Sequence, residues 1–166
     1  MTADARTPPA ERGSIVVLLA FVAVCLGVSA IGTAITWSSI ETWYPTLAKP
    51  AFSPPDWVFA PVDSVLFVMM AVAAWRIWSH RDRPGVPLAL FCFVVQLTLN
   101  LLWTILFFGL RGIGAAVVES AVLLLAVTAT TIAFFRLDRA AGWLLVPYLA
   151  WTAFAVVITL EIWRLN

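Results

Sequence analysis

Five stretches of about 20 predominantly apolar residues, the length a helix needs to cross a bilayer, constrain this chain more than any other feature. They run over 14–36, 58–79, 86–108, 113–135 and 141–163. The chain has 166 residues, one domain's worth, of which 63% are hydrophobic and 11% charged. Soluble domains carry about 45–50% apolar and about 25% charged residues. So small a chain cannot bury all that apolar surface in itself, and some of it must face lipid. The expected fold class is all-α, a five-transmembrane-helix bundle with a long capping first loop. A net charge of +1 points to neither nucleic-acid binding nor a polybasic surface anchor.

Short connections with breakers separate the later spans: Arg81-Asp82-Arg83-Pro84-Gly85, Gly109-Leu110-Arg111-Gly112 and Arg136-Leu137-Asp138-Arg139. Links this short make sequential helices antiparallel neighbours. The first connection, 37–57, is long, aromatic and proline-rich, with Pro45, Pro50, Pro54 and Pro55 stiffening its backbone. It is too apolar for a solvated linker and reads as a folded cap on one mouth of the bundle. Residues 1–13 form a polar tail. Arg6, Arg12 and Val28-Ser29-Ala30 resemble a signal peptide and its cleavage site, but the apolar run continues past Ala30, so the segment reads as a span. Five spans put the termini on opposite sides. Arg6, Arg12, Arg76, Arg81, Arg83, Arg136 and Arg139 fall on the N-terminal side; Lys49, Arg111 and Arg164 fall on the other. The positive-inside rule therefore expects a cytoplasmic N-terminus, with the first loop and the C-terminus outside. It leaves open whether the membrane is a bacterial inner or outer one.

Polar and aromatic residues inside the spans are the candidates for chemistry. Of nine tryptophans, seven (Trp37, Trp43, Trp57, Trp75, Trp78, Trp143 and Trp163) fall near span edges, where interfacial anchoring accounts for them. Trp103 and Trp151 lie inside spans, and an interior indole N–H needs a partner or a polar cavity. Gln96, Asn100 and Trp103 share one helical face, with Thr104 beside it. An amide facing lipid is costly, so this face points into the bundle, for either an interhelical hydrogen bond or a ligand. Asp63 and Glu119 each sit about two turns inside a span. A charge near the centre of a span costs at least about 2.5–3.5 kcal/mol and is a functional hypothesis by default. Asp63, Asn100 and Glu119 fall at similar depth beneath the first loop, which suggests a polar-edged cavity there. Cys25 and Cys92 read as small hydrophobes, and His80 as a solvated surface residue. No residue pattern identifies a catalytic nucleophile, a base or a metal site.

Several ordered motifs then carry a resemblance. Trp43-Tyr44, Leu47, Lys49-Pro50, Pro54-Pro55 and Val58-Phe59 resemble the first-loop signature of the tryptophan-rich sensory protein / translocator protein (TspO/MBR) family. Asn100-Leu101-Leu102-Trp103 with Leu106-Phe107-Phe108 is similar to its third-helix signature. Pro147-Tyr148-Leu149-Ala150-Trp151 with Phe154-Ala155 is similar to its fifth, and Trp163-Arg164-Leu165-Asn166 resembles its ending. The similarity covers about residues 14–166.

The resemblance implies a five-helix bundle, often a homodimer in the lipid bilayer, with a cavity beneath the first loop. That cavity would take flat apolar molecules: a tetrapyrrole such as protoporphyrin IX or haem, a sterol, or a drug-like compound. No resident cofactor or metal is implied. Carried over residue by residue, the ligand region comprises Trp43, Pro50, Trp57, Asn100, Trp103, Tyr148, Trp151 and Phe154, to which the depth argument adds Asp63. Lys49, Arg111 or Arg164 would meet anionic propionates. Departures are also present: Asp63 stands where a tryptophan is usual, Phe67 where a tyrosine is, Thr159 where an asparagine is common, and Ala51 or Phe52 replaces part of a tryptophan pair. An ionised Asp63 would repel propionates, which adds a different or more cationic ligand as an alternative. The leading expectation is a ligand-binding membrane protein for signalling, regulation or transport. Alternatives are light- and oxygen-dependent porphyrin degradation, and proton or small-solute transport using Asp63 and Glu119.

Overall fold

A computed structural model describes residues 15–166. The polar tail expected over 1–13, with Arg6 and Arg12, lies outside the described residues. Five α-helices follow in order: α1 Ile15–Thr42, α2 Phe59–Trp78, α3 Val86–Thr104, α4 Ile113–Leu137 and α5 Arg139–Leu165. Single 3-10 turns occupy Tyr44–Thr46 and Asp56–Val58, and a π-helical turn over Ile105–Gly109 continues α3. Five segments, Ile15–Thr42, Asp56–Trp78, Val86–Gly109, Ile113–Leu137 and Arg139–Leu165, are long and apolar enough to cross a membrane. The chain is an integral, multi-pass membrane protein.

Helix α5 packs along both α4 and α2, α3 along α4, and α1 along α2. The short link between α2 and α3 does not make them principal neighbours, because α2 meets α5 more extensively. The core is built where small side chains let these helices approach. Ala71, Ala73 and Ala74 of α2 are fully buried beside Met70 and Ile77. Phe93 of α3 stacks on Phe134 of α4 with ring centroids 6.1 Å apart. At Gly142, near the start of α5, a Cβ atom would run into the Phe135 ring, so that crossing requires glycine.

Helix α1 extends six residues beyond the end expected at 36, which brings Trp37 out of the loop and into the helix. Polar side chains along its last turns are satisfied within the bundle. Thr33, Thr36 and Thr42 donate to the carbonyls four residues back, at 3.0, 2.8 and 2.6 Å. Ser39 donates to the Phe108 carbonyl at 2.7 Å, which ties α1 to the π turn. The helix stops only where Tyr44-Pro45 enters a 3-10 turn.

The two ends of the bundle are closed differently. At one, Asp138 caps α5 by accepting from the Ala140 and Ala141 amides, and it pairs with Arg76 of α2 at 2.8 Å. Arg83 donates to the Leu137 carbonyl at 3.3 Å. At the other, the first loop folds over the helices. Tyr44 is buried against Phe107 and Phe108, with Lys49 Nζ 3.7 Å above its ring. Burial, with Asp56 nearby, pushes the Tyr44 phenol up to about 12. The Asn166 side chain accepts from the Ala48 amide and donates to its carbonyl, both at 3.0 Å, and so fastens the loop to the last residue.

Candidate functional site

A cavity of about 300 Å³ lies at the loop-covered end, among α1, α2, α3 with its π turn, and α5. Its wall is mostly aromatic and aliphatic, with a few polar groups converging on it. Trp37, Phe59, Phe67, Trp103 and Phe107 supply rings; Asp63, Asn100, Thr36, Thr104 and Thr159 supply polar atoms. Ligand pockets have this character, and their volumes start at about 300 Å³. A second groove of about 670 Å³, mainly between α1 and α3, is larger, but its lining has only the Thr98 hydroxyl and the Trp78 indole as side chains with a polar atom. It offers almost nothing to orient a ligand.

The π turn shapes the aromatic wall. It widens the helix at Ile105–Gly109, and Trp103 lies flat on Phe107, centroids 5.2 Å apart and planes at 14°. Phe108 meets both rings edge-on, at 6.0 and 4.8 Å. Arg111 then takes a left-handed backbone conformation (φ 54°), and the chain turns into α4. Trp103 Nε1 is buried and has no hydrogen-bond partner among the described residues.

Hydrogen bonds between helices hold the polar wall. Trp151 Nε1 of α5 donates to Asp63 Oδ1 of α2 at 2.8 Å. Asn100 Nδ2 of α3 donates to the Tyr148 hydroxyl of α5 at 3.1 Å. Both interior tryptophans therefore sit at the bundle's polar layer, one satisfied and one not. Gln96, one turn before Asn100, is buried and reaches the Met70 sulfur at 3.7 Å, while its carbonyl oxygen has no partner among the described residues.

Of the nine ligand residues expected from the sequence, Asp63, Asn100 and Trp103 line the cavity. Tyr148 and Trp151 stand directly behind, each bonded to one of these three. Phe154 joins an aromatic series from Phe52 (6.3 Å) through Trp151 (5.9 Å) to Phe59, which lies 5.6 Å from Trp151. Trp43 packs edge-on to Phe107 at 5.6 Å, outside the lining. Pro50 is in the loop, where its carbonyl accepts from Ser53. Trp57 is 75% exposed and outside the lining. Glu119 does not join Asp63 and Asn100 at the cavity, since no residue of α4 lines it. Glu119 is buried, and neither carboxylate oxygen has a partner among the described residues.

The cations expected to meet propionates are otherwise engaged. Lys49 pairs with Asp56 at 3.2 Å, Arg164 pairs with Glu161 at 2.7 Å, and Arg111 lies 5.8 Å from the Trp43 ring centre. None of the three lines the cavity. The α1 wall was missed in the sequence: Gly32, Thr33, Thr36, Trp37 and Ile40 all line the cavity. Ser29, Gly32, Thr33 and Thr36 recur at helical spacing in an otherwise apolar span, and that stripe was the available signal.

Residues 21–164 match the model of the TspO/MBR family. The chain is 36% identical to "Tryptophan-rich protein TspO" of Chlorobaculum tepidum, over 92% of this chain and 97% of that protein. It is 38% identical to "Tryptophan-rich sensory protein" of Cereibacter sphaeroides, over 89% of this chain and 90% of that one. It is also 38% identical to "Translocator protein" of Homo sapiens, over 75% of each.

Proposed function

This chain belongs to the TspO/MBR family, and from that premise we propose that it binds flat apolar ligands in the loop-covered cavity, for signalling, regulation or transport. Tetrapyrroles such as protoporphyrin IX or haem are the leading class, with sterols and drug-like compounds as related candidates. The observation that carries the reading is the cavity wall. Trp103, backed by the buried Phe107 ring on which it stacks, lines the cavity together with Asp63 and Asn100, which Trp151 and Tyr148 hold in place. Flat ring systems stack on such faces, and a few fixed polar groups orient them. The test is a titration of purified protein with protoporphyrin IX and with its neutral dimethyl ester, read by tryptophan quenching. Saturable quenching by at least one, altered by Trp151→Phe, is expected. Absence of saturable quenching by both contradicts the proposal.

Glu119 favours one second reading, the movement of protons or small solutes through the bundle. A carboxylate buried within a span without partners among the described residues is a common element of such pathways. Proteoliposomes should then show a flux that falls with Glu119→Gln and falls further when Asp63→Asn is added. Flux unchanged in the double variant removes this reading.

A further inference from the structure

Charge is unevenly distributed around the cavity wall. Two carboxylates, Asp56 and Asp63, line it, and no lysine, arginine or histidine does. Asp56 is neutralised by Lys49 at 3.2 Å. Asp63 forms no ion pair among the described residues. Its one hydrogen bond there comes from a neutral indole, Trp151 Nε1 to Oδ1 at 2.8 Å, which fixes the carboxylate without cancelling its charge. Asp63 Oδ2 remains as an acceptor. Asn100 lines the same cavity and gives one of its two amide hydrogens to Tyr148; its side-chain carbonyl is a second acceptor without a donor among the described residues. Trp103, its ring stacked on Phe107, lines the same cavity.

We propose that Asp63 makes this cavity selective, among flat apolar ligands, for those bearing a protonated amine. The inference rests on the cavity being the ligand site and names the chemistry it prefers. An alkylammonium group has three donors and no acceptor. It matches a fixed carboxylate oxygen, the Asn100 carbonyl in the same wall offers a second acceptor, and an indole face attracts it. A ligand carboxylate is the opposite case. It meets a like charge in a poorly hydrated site, with no cation on the wall to receive it.

Three probes on one macrocycle separate these cases: protoporphyrin IX with free propionates, its dimethyl ester, and its bis-amide with ethylenediamine, which carries two ammonium arms. Each is titrated against the protein in zwitterionic nanodiscs by tryptophan quenching, with empty nanodiscs subtracted. The expected order is amine tighter than ester, and ester tighter than acid. The amine should lead the ester by about tenfold or more, the scale of one charge-assisted hydrogen bond. Asp63→Asn removes the charge while its amide oxygen still accepts from Trp151, and it should bring the amine and the ester to within about twofold of each other. Glu41→Gln, at an exposed acid outside the lining, should leave the order intact. Acid binding as tightly as amine in the wild type overturns the proposal. So does an amine preference that survives Asp63→Asn, or one that Glu41→Gln abolishes equally. If Asp63→Asn does not fold, the wild-type order and Glu41→Gln still decide. Failure of all three probes to bind the wild type is a different result: it contradicts the ligand-site reading itself.

Discussion

At the scale of single residues, the pair of Asp63 and Trp151 explains how an acid persists in a span. The indole N–H supplies a partner from another helix, 88 residues along the chain. Its position was legible in the sequence as an anomaly, an acid inside an apolar run. Its partner was not, because spacing rules relate residues on one helix and say nothing across two. Trp103 is the converse case: the sequence marked its N–H as needing a partner or a polar cavity, and it lines the cavity with no partner for that N–H among the described residues. Trp151→Phe keeps an aromatic ring, though a smaller one, and strips Asp63 of its donor. It should destabilise the folded protein by about 1–3 kcal/mol, the cost of an orphaned buried polar group. Asp63→Asn should cost less, since an amide oxygen still accepts. Thermal denaturation in detergent, comparing both variants with wild type, checks the ranking.

The helices themselves were the most legible part of the chain, because hydropathy is local and sums over a window of residues. Their ends were less so. Ser38, Ser39 and Thr42 read as loop, yet Thr42 bonds to its own helix and Ser39 to the π turn, so α1 continues past them. The serine and threonine stripe of α1 is the one sign of the cavity wall there, and it is ambiguous, because such hydroxyls also bond back to their own helix, as Thr33 and Thr36 do. The junction of α4 and α5 concentrates its energetics in one residue. Asp138 both caps α5 and pairs with Arg76 of α2. Asp138→Ala should cost about 1–3 kcal/mol, as it loses the cap and leaves a partly buried arginine unpaired. Arg76→Ala keeps the cap and should cost less. Chemical denaturation of the two variants side by side gives the comparison.

For the whole molecule, the bundle separates a basic end from a loop-covered end that holds the cavity. Positive-inside reasoning expects the basic end on the cytoplasmic side. Lys49→Cys should then react with a membrane-impermeant maleimide applied to the opposite side of the membrane. Arg81→Cys should react only once that membrane is opened, and the reverse pattern would invert the topology. The central claim is that ligand sits inside the loop-covered cavity rather than on the lipid-facing surface. Gly32 tests it most directly, because it lines the cavity and a Cβ there would approach Thr104 at 3.8 Å. A phenyl group at this position would occupy the space a ligand needs. The deciding measurement is tryptophan-quenching titration with protoporphyrin dimethyl ester of wild type, Gly32→Phe and Trp57→Phe, the last altering an exposed ring outside the lining. Saturable binding that Gly32→Phe weakens by about tenfold or more, with Trp57→Phe close to wild type, is the predicted result. Wild-type affinity in a folded Gly32→Phe protein would contradict the account and move the ligand elsewhere on the bundle.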